Sequence, residues 1–248
     1  MIFIKKLVLS VPFIAALVAA MSFIVVDKKS TAHNTFTIEF KNFVGDDVLQ
    51  LDSSTYKNEF AQTYTISKFK YYISNIHLTK KDGKQYASND YFLVNEEDES
   101  SKTIVLNSVP DDTYTSISFT LGVDSLHNCS GAQSGALDPV NAMFWAWNTG
   151  YIFLKLEGKS AASKSPGNIL EFHIGGYKKP SNCIRNFTLN IENYKSIENA
   201  YSIKIKTNAA EIFKTPTAID FSKTSSVTDF HNATLVADNY ADMFSVMY

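Results

Sequence analysis

The segment that decides the fold is Lys68-Phe-Lys-Tyr-Tyr-Ile-Ser-Asn-Ile-His-Leu78, with the turn sequence Lys80-Lys-Asp-Gly-Lys84 close behind it. The first stretch is rich in aromatic and β-branched side chains, which fit a pleated, half-buried surface. An Asp-Gly pair beside such a stretch is a strong signal for a tight hairpin turn. The segment 91–94 is its natural partner strand. We therefore predict a β-hairpin at this point of the chain.

Other segments repeat the strand pattern on both sides of this hairpin. In the segment 35–43, Phe36, Ile38 and Phe40 alternate with polar residues, which predicts a strand with one buried face. Further strands are predicted at 48–51, 64–67, 103–106, 115–121, 151–157, 169–174, 187–191 and 201–206. Only two short segments look helical, at 209–213 and 235–244. The pattern is typical of an all-β, antiparallel β-sandwich-like domain over residues 35–248, with one or two short helices.

One long segment, 122–148, has no strand period and is dominated by Gly, Ser, Asn, Asp and Pro. A structureless loop longer than about 15 residues inside a compact domain is usually functional. We therefore predict that this loop carries the functional site.

The N-terminus has the pattern of an export signal. Lys5 and Lys6 precede an apolar run from Leu7 to Val26, and Asp27 follows it. Small residues near the end of the run favour a cleavable signal peptide. The length of about 20 residues favours an uncleaved membrane anchor. Residues 1–26 are therefore predicted to be a signal peptide or an N-terminal membrane anchor, and the protein is expected in the periplasm or at the cell surface.

Composition places the rest of the chain among globular proteins and argues against nucleic-acid binding. Hydrophobic residues make up 45% and charged residues 19% of the chain, which is unlike disordered sequences. The formal net charge is −2, and Arg185 is the only arginine. Without a basic patch the chain lacks the electrostatic footprint of a nucleic-acid-binding protein.

The sequence contains two cysteines, Cys129 and Cys183. Outside the cytoplasm an even pair usually forms a disulfide, so we predict that they are joined. Two free thiols and a cysteine metal site are the alternatives.

No common enzyme motif is present, so we predict that the protein is not an enzyme. The histidines are scattered, and a histidine site has to be assembled by the fold. His173 is the most notable, because it lies inside an apolar strand directly before Gly175-Gly176, where an imidazole needs a hydrogen bond or a metal. Converging imidazoles would suit copper or zinc. The others are His33, for which a structural or surface role is favoured, His77, His127 and His231.

Asp124, Asn128 and Asp138 offer hard oxygen ligands in the long loop. Such a set can hold calcium. Turn and helix-capping chemistry explains the same residues, and we favour it.

The same loop contains both tryptophans of the protein, Trp145 and Trp147. Two core aromatic residues at a sheet end are common. The alternative to a core role is a role in the functional site, because both tryptophans lie in the loop that is predicted to carry it.

Three groups of residues resemble a known family. They are the segment 69–76; the segments 122–125, 135–139 and 143–158; and Phe172-His-Ile-Gly-Gly176. Together they are similar to the MbnP-like family of exported copper-binding proteins, named from methanobactin operons. The resemblance runs from about residue 35 to residue 244, and its middle segment is long and specific.

The resemblance implies a β-rich periplasmic or cell-surface protein with a dihaem partner similar to bacterial cytochrome c peroxidases. In characterised relatives that enzyme oxidises one tryptophan to kynurenine, which forms a Cu(I) site with histidines. Here the candidates are Trp145 or Trp147 with His173, and His231 ranks ahead of His127 and His77 as a second ligand. The cysteine pair departs from the family pattern.

We therefore predict an exported protein of the cell envelope that binds copper, as Cu(I) or Cu(II), in copper acquisition or handling. The alternative is an extracellular β-sandwich module for binding or adhesion that needs no metal.

Overall fold

The structure is a computed structural model that describes residues 33–145, 150–192, 201–230 and 232–248, without the side chains of His33 and Tyr201. The predicted signal peptide or anchor at residues 1–26 lies outside the described residues, as do Trp147 and His231. Among the residues described, there is no helix with the length and apolar character needed to cross a membrane.

The described part of the chain is built mainly of strands. In chain order these are β1 His33–Val44, β2 Asp47–Val48, β3 Tyr56–Lys57, β4 Thr63–Lys80, β5 Gln85–Asn95, β6 Thr103–Pro110, β7 Tyr114–Leu121, β8 Phe144–Trp145, β9 Gly150–Tyr151, β10 Leu154–Lys159, β11 Ile169–Ile174, β12 Arg185–Asn190, β13 Tyr201–Asn208, β14 Ser226–Val227 and β15 Phe244–Met247. The α-helices are α1 Ser125–Cys129 and α2 Ala233–Asn239. Short 3-10 helices lie at Glu99–Lys102, Gly135–Leu137, Pro139–Asn141, Pro166–Asn168, Ala209–Phe213 and Tyr240–Asp242.

The strands form two large sheets and one two-stranded ribbon. The first sheet has the order β15-β13-β1-β2, with β6 also paired to β1. The second has the order β12-β7-β4-β10-β11-β14, with β3 and β5 also paired to β4, and β8 pairs with β9. The all-β fold is confirmed. The sheets are mixed rather than purely antiparallel, because β1 runs parallel to β13 and β11 runs parallel to β14.

The two large sheets pack against each other through an aromatic core. Phe40 of the first sheet makes edge-to-face contacts with Tyr71 and Phe119 of the second, with ring centroids 6.1 and 6.0 Å apart. The Tyr71 hydroxyl reaches back to Asn42 Oδ1 at 2.9 Å and lies 2.9 Å from Thr207 Oγ1. These polar contacts satisfy a buried hydroxyl between the sheets.

The predicted hairpin is confirmed. The backbone N–H of Lys80 donates to the carbonyl of Lys84 at 2.8 Å, and Gly83 has a φ of 83°, which glycine adopts without strain. The segments 64–67 and 68–78 are one continuous strand, β4, rather than two. This long strand is the central element of the second sheet.

The prediction that the segment 122–148 is a structureless loop was wrong. Its described part contains α1, two 3-10 helices and β8. The Asp124 side chain accepts a hydrogen bond from the backbone N–H of His127 and so begins α1. At the C-terminus, α2 and the following 3-10 turn end before Phe244, which starts β15 rather than ending a helix.

Candidate metal centre

A polar row of side chains crosses the outer face of the second sheet. In register, Lys155 of β10 lies between Lys70 of β4 and His173 of β11. Two residues further along β10, Glu157 lies beside Lys68 of β4. Because side chains alternate along a strand, these groups share the face opposite the aromatic core. The only histidine on β11 therefore stands in a charged neighbourhood.

His173 is held by Glu157. Its Nε2 atom lies 2.9 Å from Glu157 Oε1, and only 15% of its side chain is exposed. Burial lowers the pKa of His173, and the positive charge of Lys155 lowers it further. Burial opposes ionisation of Glu157, but the hydrogen bond with His173 and the charge of Lys68 outweigh it, so the pKa of Glu157 is lowered. A neutral imidazole beside an ionised carboxylate follows at neutral pH.

The long loop is tied down onto this face. The ammonium group of the buried Lys155 donates to the carbonyl of Ala142, and the Tyr72 hydroxyl donates to the carbonyl of Ala136 at 2.9 Å. Burial lowers the pKa of Lys155. These two bonds fix the loop shortly before it reaches Trp145.

Trp145 packs against the end of the strand that carries His173. A Cβ atom added at Gly175 would lie 2.8 Å from the Cη2 and Cζ3 atoms of the indole, and nearer still to the carbonyl oxygen of Tyr151. The indole also meets the ring of Phe230 edge-to-face, with centroids 5.4 Å apart. Trp145 is 5% exposed. Trp145 therefore contacts Gly175, which follows His173 by two positions in the chain, and Phe230, which directly precedes His231.

We expect Gly175→Ala to displace the Trp145 indole, because the new methyl group has no space. The overpacking should cost about 1–3 kcal/mol in the free energy of unfolding. Tryptophan emission in a Trp147→Phe background should move to longer wavelength, since water gains access to the Trp145 ring. An unchanged emission spectrum and an unchanged denaturant midpoint would show that this packing is wrong.

His127 belongs to a different cluster. Its Nδ1 atom lies 2.9 Å from the Tyr91 hydroxyl and 3.1 Å from Asp124 Oδ2, and the Tyr91 hydroxyl donates to the same carboxylate. Burial opposes ionisation of Asp124, but the bonds from Tyr91 and His127 lower its pKa. Among the described residues, no hydrogen bond or ring contact joins this cluster to His173.

Sequence reasoning missed Tyr91. The hairpin register contains the signal that could have found it, because Tyr91 pairs with Ser74 on the neighbouring strand. The Ser74 hydroxyl donates to the carbonyl of Gly122 at 2.9 Å, just before Asp124. Tyr91 therefore stands where the long loop leaves the sheet.

The three candidate calcium ligands make capping and loop contacts. Asp124 caps α1, and Asp138 Oδ1 accepts from the backbone N–H of Val140 at 2.9 Å. Asn128 is buried, and its Oδ1 accepts from the backbone N–H of Tyr151 at 2.9 Å. The contacts of Asp124 and Asp138 are the turn and capping chemistry favoured by the sequence, whereas Asn128 joins the loop to β9. Within the described ranges, no group of three or more His, Cys, Asp or Glu side chains is arranged to hold a metal ion.

The predicted disulfide is absent, and both cysteines are free. Cys129 is exposed at the end of α1, with Sγ 3.0 Å from the Tyr177 hydroxyl. Cys183 is fully buried, with Sγ 3.7 Å from the carbonyl of Ser181. Each thiol has its own partner, and the fold places one at the surface and the other inside the protein.

We expect a thiol reagent to label Cys129 in the folded protein and to label both cysteines after denaturation, without reductant. Burial raises the pKa of Cys183 to about 12, so little reactive thiolate forms there. Cys129→Ser should remove the labelling of the folded state. Labelling of denatured protein that requires a reductant would instead establish the disulfide.

The remaining candidates divide into two groups. His77 lies on β4, and its Nδ1 atom is 3.2 Å from Gln85 Oε1 across the hairpin, which fits a surface role. The side chains of His33, Trp147 and His231 are outside the described residues. Their predicted roles stay predictions.

The fold and this site define a class: an all-β protein of two packed sheets whose outer face, covered by a long loop, combines a neutral histidine with a packed tryptophan. The family model described as MbnP matches residues 33–231. The chain therefore belongs to the MbnP family, and the resemblance found in the sequence is confirmed.

A solved structure, MbnP from Methylosinus trichosporium, matches with a TM-score of 0.59 over 87% of this chain and 98% of that chain. The two sequences are 12% identical, so the likeness shows the shared fold. No curated protein matches this chain.

Proposed function

We propose that this protein is an exported copper-binding protein of the cell envelope that acts in copper acquisition or handling, without catalytic activity of its own. It works in the periplasm or at the cell surface, with or without a membrane attachment through residues 1–26. The observation that carries the proposal is the placement of Trp145 against Gly175, two residues after the neutral His173. Membership of the MbnP family supports it.

The donor set fits copper after one modification. A neutral imidazole is a common copper ligand. An intact indole has only an N–H donor and cannot bind a metal through nitrogen. Oxidative opening of the ring yields an aromatic amine and a carbonyl, which can. A dihaem peroxidase-like partner is the proposed oxidant for Trp145 or Trp147, and His231 is the first candidate for a further ligand, ahead of His127.

Metal analysis tests the proposal. Protein purified from its native host should contain about one copper per chain, and dialysis against a weak chelator should leave it in place. Zinc or calcium in its place, or no metal, would overturn the copper assignment.

One observation favours the second candidate function, a metal-free adhesion module. Leu126 and Val140 in the long loop are 70% and 83% exposed, and exposed apolar side chains suit a contact surface. Trp145 is buried and does not offer its ring to a partner. A protein without copper that binds a surface glycan or protein, and loses that binding in Leu126→Ser and Val140→Ser, would support this function.

A further inference from the structure

The contact between His173 and Glu157 is a feature of the candidate site that copper binding alone does not explain. The two side chains lie on adjacent antiparallel strands, with Glu157 two residues beyond Lys155, the residue paired with His173. The Nε2 to Oε1 distance of 2.9 Å is that of a good hydrogen bond.

Glu157 is itself held in place and in its charged form by two ammonium groups. Lys68 Nζ lies 3.4 Å from one carboxylate oxygen, and Lys155 Nζ lies 3.9 Å from the other. An ionised carboxylate only accepts hydrogen bonds. The proton of the hydrogen bond must therefore reside on Nε2 of His173.

A neutral imidazole carries one proton, so Nδ1 then has the free lone pair. Among the described residues, no hydrogen bond reaches Nδ1 of His173. Histidines that bind metals commonly donate their other ring N–H to a carboxylate, which fixes the tautomer and the orientation of the ring. The Glu157–His173 pair has this arrangement.

We propose that Glu157 is a positioning residue that fixes His173 in its Nε2–H tautomer and thereby presents Nδ1 as the atom that binds copper. The binding of copper by Nδ1 rests on the proposed copper function. The tautomer of His173 is a property of the metal-free protein and does not depend on that function.

The first experiment therefore uses metal-free protein labelled with nitrogen-15 at histidine. Long-range proton–nitrogen NMR correlations distinguish a protonated from an unprotonated ring nitrogen. At neutral pH we expect a protonated Nε2 and an unprotonated Nδ1 for His173. A protonated Nδ1, or averaging between the two tautomers, would overturn the inference.

The second experiment compares Glu157→Ala with Glu171→Ala. Glu171 is the cross-strand neighbour of Glu157, but the carboxylate that accepts the hydrogen bond of His173 is that of Glu157. Both variants thus lose one carboxylate from the same face. Glu157→Ala should average the His173 tautomers and lower the Cu(I) affinity of protein from the native host by about 10-fold or more, measured with a competing chelator. Glu171→Ala should leave the tautomer unchanged.

The outcomes separate the two claims. Equal Cu(I) affinities in wild type and Glu157→Ala, with averaged tautomers in the variant, would overturn the positioning role. A fixed Nε2–H tautomer in a protein that binds no copper would overturn the proposed function and leave the tautomer assignment supported.

Discussion

Replacing His173 by alanine is expected to abolish stoichiometric copper binding. Burial lowers the pKa of the His173 imidazole, which favours the neutral form that binds metals, and the ring is held by Glu157. Loss of an outer partner of a metal ligand typically costs 10–100-fold in affinity. Loss of the ligand itself should cost more than the upper end of that range. Copper content of wild type and variant, both purified from the native host, measures the effect.

His77→Ala is the matched control. His77 is also a strand histidine of the second sheet, but it pairs with Gln85 across the hairpin. The His77→Ala variant should bind as much copper as wild type. Because Glu157 keeps Lys68 as a partner in His173→Ala, we expect that variant to stay folded, which the cooperativity of its thermal unfolding checks. Equal copper in His173→Ala and wild type would remove His173 from the site.

The second large effect is covalent. When the protein is made together with the proposed dihaem peroxidase-like partner, a peptide spanning Met143 to Lys155 should carry kynurenine in place of one tryptophan. The net change is the replacement of one carbon atom by one oxygen atom, a gain of about 4 Da. Protein made alone should lack it. Peptide mass spectrometry of both preparations measures the change.

The proposed chemistry balances with hydrogen peroxide as the oxidant. Two peroxide molecules place two oxygen atoms on C2 and C3 of the indole as the bond between these carbons breaks, and two water molecules form. Hydrolysis of the resulting formyl group releases formate and leaves the aromatic amine.

Trp145→Phe and Trp147→Phe assign the modified residue. The heavier peptide should persist in one variant and vanish in the other. Unmodified tryptophan at both positions in the native host, with the partner present, would reject the modification. Copper binding would then have to rest on histidines.

The strands could be predicted from the sequence because their signals are local. Phe36, Ile38 and Phe40 alternate with polar residues, and all three are buried on the inner face of β1. The Asp-Gly turn likewise predicts its own hairpin. The parallel pairing of β1 with β13 could not be predicted, because it joins segments about 165 residues apart, and strand alternation carries no information about the partner.

The sequence predicted His173 as a residue of the candidate site but did not predict the contacts that hold it. An imidazole in an apolar strand before two glycines needs a partner, which singled out His173. Its partner Glu157 was not predicted, because only the register between β10 and β11 brings the two side chains together. The close approach of Trp145 to Gly175 depends on the path of the long loop. The sequence of this loop has no strand or helix periodicity from which its path could be predicted.

The disulfide prediction was wrong for a related reason. An even number of cysteines indicates pairing by composition alone. Bond formation also requires the two Cβ atoms to come within about 4.5 Å of each other. Here one thiol lies at the surface beside Tyr177, and the other is enclosed in the core.

Native mass spectrometry of the intact protein from its host tests the central claim most directly, because it reads copper and the covalent change in the same ion. We expect copper-bearing ions to contain one copper atom on a chain heavier by about 4 Da, the mark of one kynurenine. Chains with unmodified tryptophan should lack copper. Copper bound equally to modified and unmodified chains, or modified chains without copper, would contradict a site built from His173 and an oxidised tryptophan.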